Sequence, residues 1–372
     1  MMKKVLFCAN VYRHFTSFHM PYLYLLRDKG YKVYLLANDD YGKHKSLLLK
    51  EGFECIDIQN SRKPFSLKNF NNFLKIRKTL RSHDFKIVHV HTPIISFLTR
   101  IATFNINIDK IIYTAHGFHF YEGASEKNWL IYFTLEKIAS KFTDIMVTIN
   151  KEDYKNAKKY FSKDCNVVYI EGVGINTHHK KKSEEEIAEI CKSLNVSKND
   201  FVISYIAELN NNKNQLFLLK NWKEIKRLIP NAKLLLIGEG ANKQKYLEYI
   251  LDNNLNDISL LGFRKDIEDI LQITDIVSLL SHREGLPKSI MEAMSFGIPC
   301  VVSNTRGLRD LISNYENGFV VDHLDDSNLI ESFTKLYNNS ILYNNFKLNA
   351  LERIESYSYD SVMKKYKNIY ES

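Results

Sequence analysis

The stretch Ile276-Val-Ser-Leu-Leu-Ser-His-Arg-Glu-Gly-Leu-Pro-Lys-Ser-Ile-Met-Glu-Ala-Met-Ser-Phe-Gly-Ile-Pro-Cys300 reads as a buried strand that turns directly into a helix. The apolar run Ile276 to Leu280 is the strand, and Pro287 suits the first helical turn, where its missing N–H has no partner to lose. Gly297 and Pro299 stop the helix. The unpaired amides and the positive end of the helix dipole therefore face whatever lies beside Gly285-Leu286-Pro287, and Gly285 lets a ligand approach the backbone. A pyrophosphate or a row of sugar hydroxyls suits that place. Glu284 precedes the helix and Glu292 lies within it, so the two carboxylates can reach different parts of one elongated ligand and accept hydrogen bonds from diols. Taken alone, Glu-Gly-Leu-Pro is equally an ordinary strand-to-helix turn, and Glu292 a solvated helix residue.

Outward from this segment, short Val/Ile/Leu-rich runs alternate with longer amphipathic ones, the pattern of parallel sheets covered by helices. The series occurs twice. Strands are expected near Val5, Val33, Cys55, Ile87, Ile111, Ile145 and Val167, and again near Val202, Leu234, Ile258, Ile276, Val301 and Phe319. Between the two series, Gly172-Val-Gly-Ile-Asn-Thr-His-His-Lys-Lys-Lys-Ser183 breaks the pattern as a hinge, after which Ser183 with Glu184 to Glu186 marks a capped helix start. The 372 residues, 45% hydrophobic and 26% charged, suit two globular domains and exclude a disordered chain. The expected fold class is α/β with two Rossmann-like parallel-sheet domains. Their expected bounds are 1–174 and 175–355, with a C-terminal helix, 356–372, returning to the first domain.

The Glu284 to Pro299 segment resembles the E-x7-E signature of family-4 retaining glycosyltransferases, and the likeness covers nearly the whole chain. Lys233-Leu-Leu-Leu-Ile-Gly-Glu-Gly240 is similar to that family's strand ending in Gly-x-Gly, which adds Gly238 to the donor-binding set. Leu260-Leu-Gly-Phe-Arg-Lys-Asp-Ile267 resembles its Leu-Gly-x-x-x-Asp-Ile segment, which adds Phe263. Ile206-Ala-Glu-Leu-Asn-Asn-Asn-Lys-Asn214 corresponds to the Gly-Arg-Leu-x-x-x-Lys loop that binds the donor diphosphate, but Ala207 and Glu208 stand where glycine and arginine are usual. Lys213 then neutralises the diphosphate with help from Arg283 or backbone amides.

In the first half, Ile111-Ile-Tyr-Thr-Ala-His-Gly-Phe-His-Phe-Tyr121 is similar to a segment of capsule and exopolysaccharide glycosyltransferases. Ala9-Asn-Val-Tyr-Arg-His-Phe-Thr-Ser-Phe-His-Met-Pro21 looks like the loop after their first strand, and His89-Val-His-Thr-Pro93 also fits. Each histidine alone is as well read as a packed structural residue. His116, ending an apolar strand before a glycine, occupies the kind of place where open α/β sheets bind ligands.

The resemblance implies the architecture called GT-B, with two domains facing across a cleft, the donor on the second and the acceptor mostly on the first. It implies that Glu292 binds the ribose hydroxyls, Lys213 the diphosphate, and Glu284 with Gly285 and Leu286 the donor sugar, while His116 lies near the reacting carbon and the acceptor. The implied reaction moves a sugar, with retention, from a UDP-linked or other nucleotide-sugar donor to a lipid-linked glycan. A nucleotide-sugar epimerase of the same fold and a non-catalytic partner of an assembly complex are the alternatives, the second because of Ala207 and Glu208.

No D-x-D triplet occurs and the five cysteines are scattered without a C-x-x-C pair or a histidine cluster, so no metal, zinc site, disulfide framework or other cofactor is expected. The net charge of +9 is concentrated from Ser61 to Lys86, where eight basic residues, Arg62, Lys63, Lys68, Lys75, Arg77, Lys78, Arg81 and Lys86, stand against Asp84 alone. Phe65, Leu67, Phe70, Phe73, Leu74, Ile76 and Leu80 interleave with them. That is an amphipathic helix, either lying on an anionic membrane or packed on its sheet with a solvated lysine face. No nucleic-acid module accompanies the charge, and no nucleic-acid partner is expected. Without a membrane-spanning run or a signal peptide, the expected location is cytoplasmic, peripheral on the inner face of the plasma membrane.

Overall fold

A computed structural model describes residues 2–39, 42–59, 66–323 and 325–372. The chain divides into two compact units, Met1–Val173 with Asp360–Ser372, and Gly174–Tyr359. Each is built on one parallel sheet.

In the first unit the strands are β1 Lys4–Val11, β2 Lys32–Asn38, β3 Glu54–Asp57, β4 Phe85–His91, β5 Lys110–Ala115, β6 Ile145–Thr148 and β7 Asn166–Tyr169, in the spatial order β3-β2-β1-β4-β5-β6-β7. Alternate residues of β1 feed two cores. Val5, Phe7 and Ala9 pack with Val362, Tyr366, Ile369 and Tyr370 of the last helix, Tyr359–Glu371. Leu6 and Cys8 pack with Ile76, Leu80, Ile95 and Ala102 of two other helices. Burial on both faces is why the central strands read as unbroken apolar runs rather than as an alternation.

The second unit holds β8 Phe201–Ile206, β9 Ala232–Ile237, β10 Ile258–Gly262, β11 Ile276–Leu279, β12 Cys300–Ser303 and β13 Gly318–Val321, in the order β10-β9-β8-β11-β12-β13. All thirteen strands lie where the apolar runs placed them. In each sheet the order reverses beside the first strand, between β1 and β4 and between β8 and β11, and such switch points open crevices at the carboxyl ends of the strands.

Two local readings change. The segment after β1 is no open loop: it forms helices Tyr12–Phe18 and Met20–Asp28, with Pro21 in the first turn of the second, where it costs no hydrogen bond. Pro287 is the residue before helix Lys288–Ser295 rather than inside it, its ψ of 122° still extended. The Ser183 cap is present in full. Its side chain accepts from the Glu186 amide while the Glu186 carboxylate accepts from the Ser183 amide.

Candidate functional site

The β8/β11 crevice gathers most of the residues singled out in the second half. After β8 the chain runs through Asn210 to Asn214 as a tight loop, closed by the Lys213 amide donating to Asn210 Oδ1 at 2.9 Å and by Asn214 in the left-handed conformation before helix Gln215–Leu228. After β11, the His282 amide donates to Asn212 O at 2.8 Å and Asn212 Nδ2 donates to Arg283 O at 3.0 Å. Buried Tyr205 ties the two loops from below, accepting from the Leu280 amide at 2.7 Å and donating to Lys213 O. Lys213 Nζ therefore reaches Glu284 Oε1 at 2.6 Å, with the Glu284 side chain 9% exposed and that of Lys213 22%. This is a pre-aligned charge pair, largely shielded from water, beside a helix start.

Two glycines set the walls. A Cβ at Gly307 would lie 2.1 Å from Gly285 O, and one at Gly238 2.0 Å from Ala207 O, so the loops after β12 and β9 press directly on the backbone of the loops that carry Glu284 and Lys213. Arg306, buried, donates from Nε to Glu284 O at 3.2 Å. Glu292 pairs with Lys288 one turn earlier at 3.0 Å. Arg283, Gly285 and Leu286 line the same loop at intermediate exposure, and Phe263, just after β10, is 72% exposed. Lys288 and Arg306 were not singled out from sequence. Lys288 was readable as an i,i+4 partner of Glu292, whereas nothing in the sequence marks Arg306.

In the first unit the residues that come together are histidines. His116 follows β5, His91 ends β4, and His14 and His19 sit on and after the first helix beyond β1. Each offers a ring nitrogen within 4.8 Å of the others. His19 Nε2 meets His14 Nε2 at 3.1 Å, and His116 Nε2 meets His91 Nδ1 at 3.3 Å. Burial pushes His116 down to about 4 and holds the other three well below the usual imidazole value, with neighbouring rings adding to the effect. Burial thus favours the neutral form of all four rings. The sequence contains no histidine cluster, and the fold assembles one from three separate segments.

Neighbouring His89 has a different environment. Its Nδ1 meets Tyr370 Oη at 2.9 Å and its Nε2 meets Thr114 Oγ1 at 2.8 Å, so it is a packed structural residue.

The basic segment forms helix Leu67–Ser82; Arg62, Lys63 and Phe65 lie outside the described residues. Ile76 and Leu80 are buried against the sheet, but Leu67, Phe70 and Leu74 are 90%, 64% and 50% exposed. Their i, i+3, i+7 spacing puts them on a second apolar stripe, flanked by exposed Lys68, Lys75, Lys78 and Arg81. Arg77 is committed elsewhere, donating to the carbonyls of Ala102 and Phe104 at 3.0 Å each. No described helix is long and apolar enough to cross a membrane.

Residues 4–150 match the family described as glycosyl transferase 4-like, and residues 186–353 that described as glycosyl transferases group 1. The putative glycosyltransferase EpsD of Bacillus subtilis is 35% identical over 91% of this chain and 88% of its own length. The UDP-Gal:alpha-D-GlcNAc-diphosphoundecaprenol alpha-1,3-galactosyltransferase of Escherichia coli is 30% identical over 74% of this chain and 72% of its own. Among solved structures, Anabaena HepE in complex with UDP and glucose superposes with a TM-score of 0.80 at 20% identity over 100% of both chains, a likeness of fold.

Proposed function

The chain belongs to the family-4 glycosyltransferases of GT-B fold, and from that membership we propose that it transfers a sugar, with retention, from a UDP-sugar to a lipid-linked glycan in capsular, exopolysaccharide or other cell-surface glycan assembly. The observation that carries the donor half is the Lys213–Glu284 pair at 2.6 Å, aligned by two interlocked loops at a strand switch point and next to a helix start. In this reading the diphosphate lies across Lys213 and the amides around Gly285 and Leu286, with Arg283 in reach, so that leaving-group charge is met by fixed donors. Glu284 takes the donor sugar, Glu292 the ribose, and exposed Phe263 and the Gly238 turn the base side. The lipid-linked acceptor is supported by the Escherichia coli relative, whose name gives a UDP-linked donor, a diphosphoundecaprenol acceptor and an α-1,3 linkage. On the first unit, His116 is the residue assigned to the acceptor.

A thermal-shift screen of UDP-, GDP- and ADP-sugars tests the donor assignment. A UDP-sugar at 100 times its dissociation constant should add about 2.7 kcal/mol of stability. With no D-x-D triplet to bridge a metal to the diphosphate, that increment should be the same in chelator and in magnesium or manganese. An increment that appears only with added metal would overturn the phosphate scheme.

The helix Leu67–Ser82 supports a peripheral position on an anionic leaflet, where a lipid-linked acceptor is presented. Each exposed basic residue is worth about 1 kcal/mol near such a surface, and burying Leu or Phe side chains adds about 1.5–3 kcal/mol each. Binding to anionic vesicles should exceed binding to neutral ones and weaken as salt rises. Phe70→Asp should reduce binding without changing the fold, because Phe70 is 64% exposed. Equal binding to neutral and anionic vesicles would remove the electrostatic part of this reading.

A further inference from the structure

We propose that His14, His19, His91 and His116 together hold one divalent first-row transition-metal ion, zinc being the best match, at the carboxyl edge of the first sheet. The inference rests on the first unit alone and stands or falls independently of the donor assignment. It departs from the expectation of no metal, which rested on the missing D-x-D triplet and on the scattering of cysteines and histidines along the chain.

The geometry is the first argument. Zinc–nitrogen bonds of about 2.0–2.1 Å in a tetrahedron place the ligand nitrogens about 3.3–3.4 Å apart. The two closest approaches, 3.1 and 3.3 Å, already have that spacing, and no pair of the four ligand atoms exceeds 4.8 Å. The four donors also come from three rigid supports, the ends of β4 and β5 and the helix that follows β1, which is how a site is pre-set before an ion arrives.

Hydrogen bonding is the second. Each close contact joins two ring nitrogens, and one of each pair must carry the hydrogen that the other accepts, so the rings can meet one another only through two N–H···N bonds. A cation offers the cluster what its own rings cannot, an acceptor for several nitrogen lone pairs at once.

The third is chemical type. Neutral imidazole is the form that ligates, and imidazole nitrogen is the commonest protein ligand for such ions. An all-imidazole set with neither carboxylate nor thiolate suits zinc, copper, nickel or iron and is a poor match for magnesium or calcium. If the ion is present, His116 meets the acceptor as a metal-held ring, so loss of turnover in a His116 variant does not separate the two assignments. Metal content does.

The test uses the full chain. Protein purified from zinc-supplemented medium and desalted should hold one zinc per chain by elemental analysis, and chelator-treated protein titrated with Co2+ should develop the intense visible absorption of tetrahedral cobalt. Among variants, His14→Ala carries the least folding risk because His14 is partly exposed. It and His91→Gln should each lose more than about 100-fold in affinity for Co2+, since even outer-shell partners of metal ligands cost about 10–100-fold. His89→Gln should bind as the wild type does. Should a ligand variant fail to fold, wild-type protein alone decides, because zinc must raise the melting temperature of the apo form. The proposal is overturned if the wild type retains no zinc, if zinc leaves the apo melting temperature unchanged, or if folded ligand variants bind Co2+ as tightly as the wild type.

Discussion

Glu136→Leu should destabilise the first unit by about 3–5 kcal/mol, the range found when one partner of a buried ion pair is removed. Arg100, from helix Pro93–Ala102, is 0% exposed, and its Nη2 donates to Glu136 Oε2 at 2.6 Å. The rest of the guanidinium is also satisfied, by Ser96 O at 3.2 Å, Ser96 Oγ at 3.2 Å and Thr143 Oγ1 at 3.5 Å, with the Tyr113 ring 4.0 Å below it. Tyr113 Oη completes the group by donating to the second carboxylate oxygen at 3.0 Å. Taking away the carboxylate strands both a buried cation and a buried phenol, which is why the cost exceeds that of the hydrogen bonds themselves. The double variant Arg100→Met with Glu136→Leu removes the charge along with its partner and should recover most of the loss. Urea unfolding of the two variants measures this; a single variant within about 1 kcal/mol of wild type would mean the pair is not buried in solution.

Lys213→Ala should weaken UDP-sugar binding by at least about 1.5–3 kcal/mol, the worth of a hydrogen bond to a charged group. The structure adds a second cost. Glu284, 9% exposed, loses its charge partner and faces the incoming diphosphate as an uncompensated carboxylate. Lys213→Ala combined with Glu284→Gln should therefore bind donor more tightly than Lys213→Ala alone, while still failing in turnover because Glu284 is assigned to the donor sugar. Calorimetric titration of the three variants gives the coupling directly. An unchanged dissociation constant in Lys213→Ala would transfer the diphosphate to Arg283 or to the backbone amides.

The strands were legible because two-sided burial writes itself as apolar runs, as in Val5 to Ala9 or Ile276 to Leu280, and because glycine and proline punctuate their ends. Glu284, Glu292 and Lys213 were legible through resemblance. The structure adds that Glu284 and Lys213 pair directly, while Glu292 pairs with Lys288 instead. Helix Tyr12–Phe18 was missed because its residues interleave polar and aromatic types without a clean apolar stripe, and its stability comes from packing Tyr12 and Phe15 onto the sheet. Arg306 and the histidine cluster were beyond sequence reading for a common reason: each depends on loops that are distant in the chain meeting at a sheet edge, and no local spacing encodes that meeting. The helix Leu67–Ser82 lies between these cases. Its charge was plain, but whether Leu67, Phe70 and Leu74 faced core or solvent was decided only by which side Ile76 and Leu80 turned to the sheet.

The central claim is that the E-x7-E helix start holds the donor from the phosphate side and offers no base behind the anomeric carbon, so that the sugar leaves and is transferred on the same face. NMR of the glycoside formed from an α-linked UDP-sugar tests this most directly. The predicted product is the α-glycoside, identified by the small vicinal coupling of its anomeric proton and by a one-bond carbon–proton coupling larger than that of the β-anomer; a β-glycoside would contradict the retaining mechanism and the assignment of Glu284 and Lys213 on which it stands.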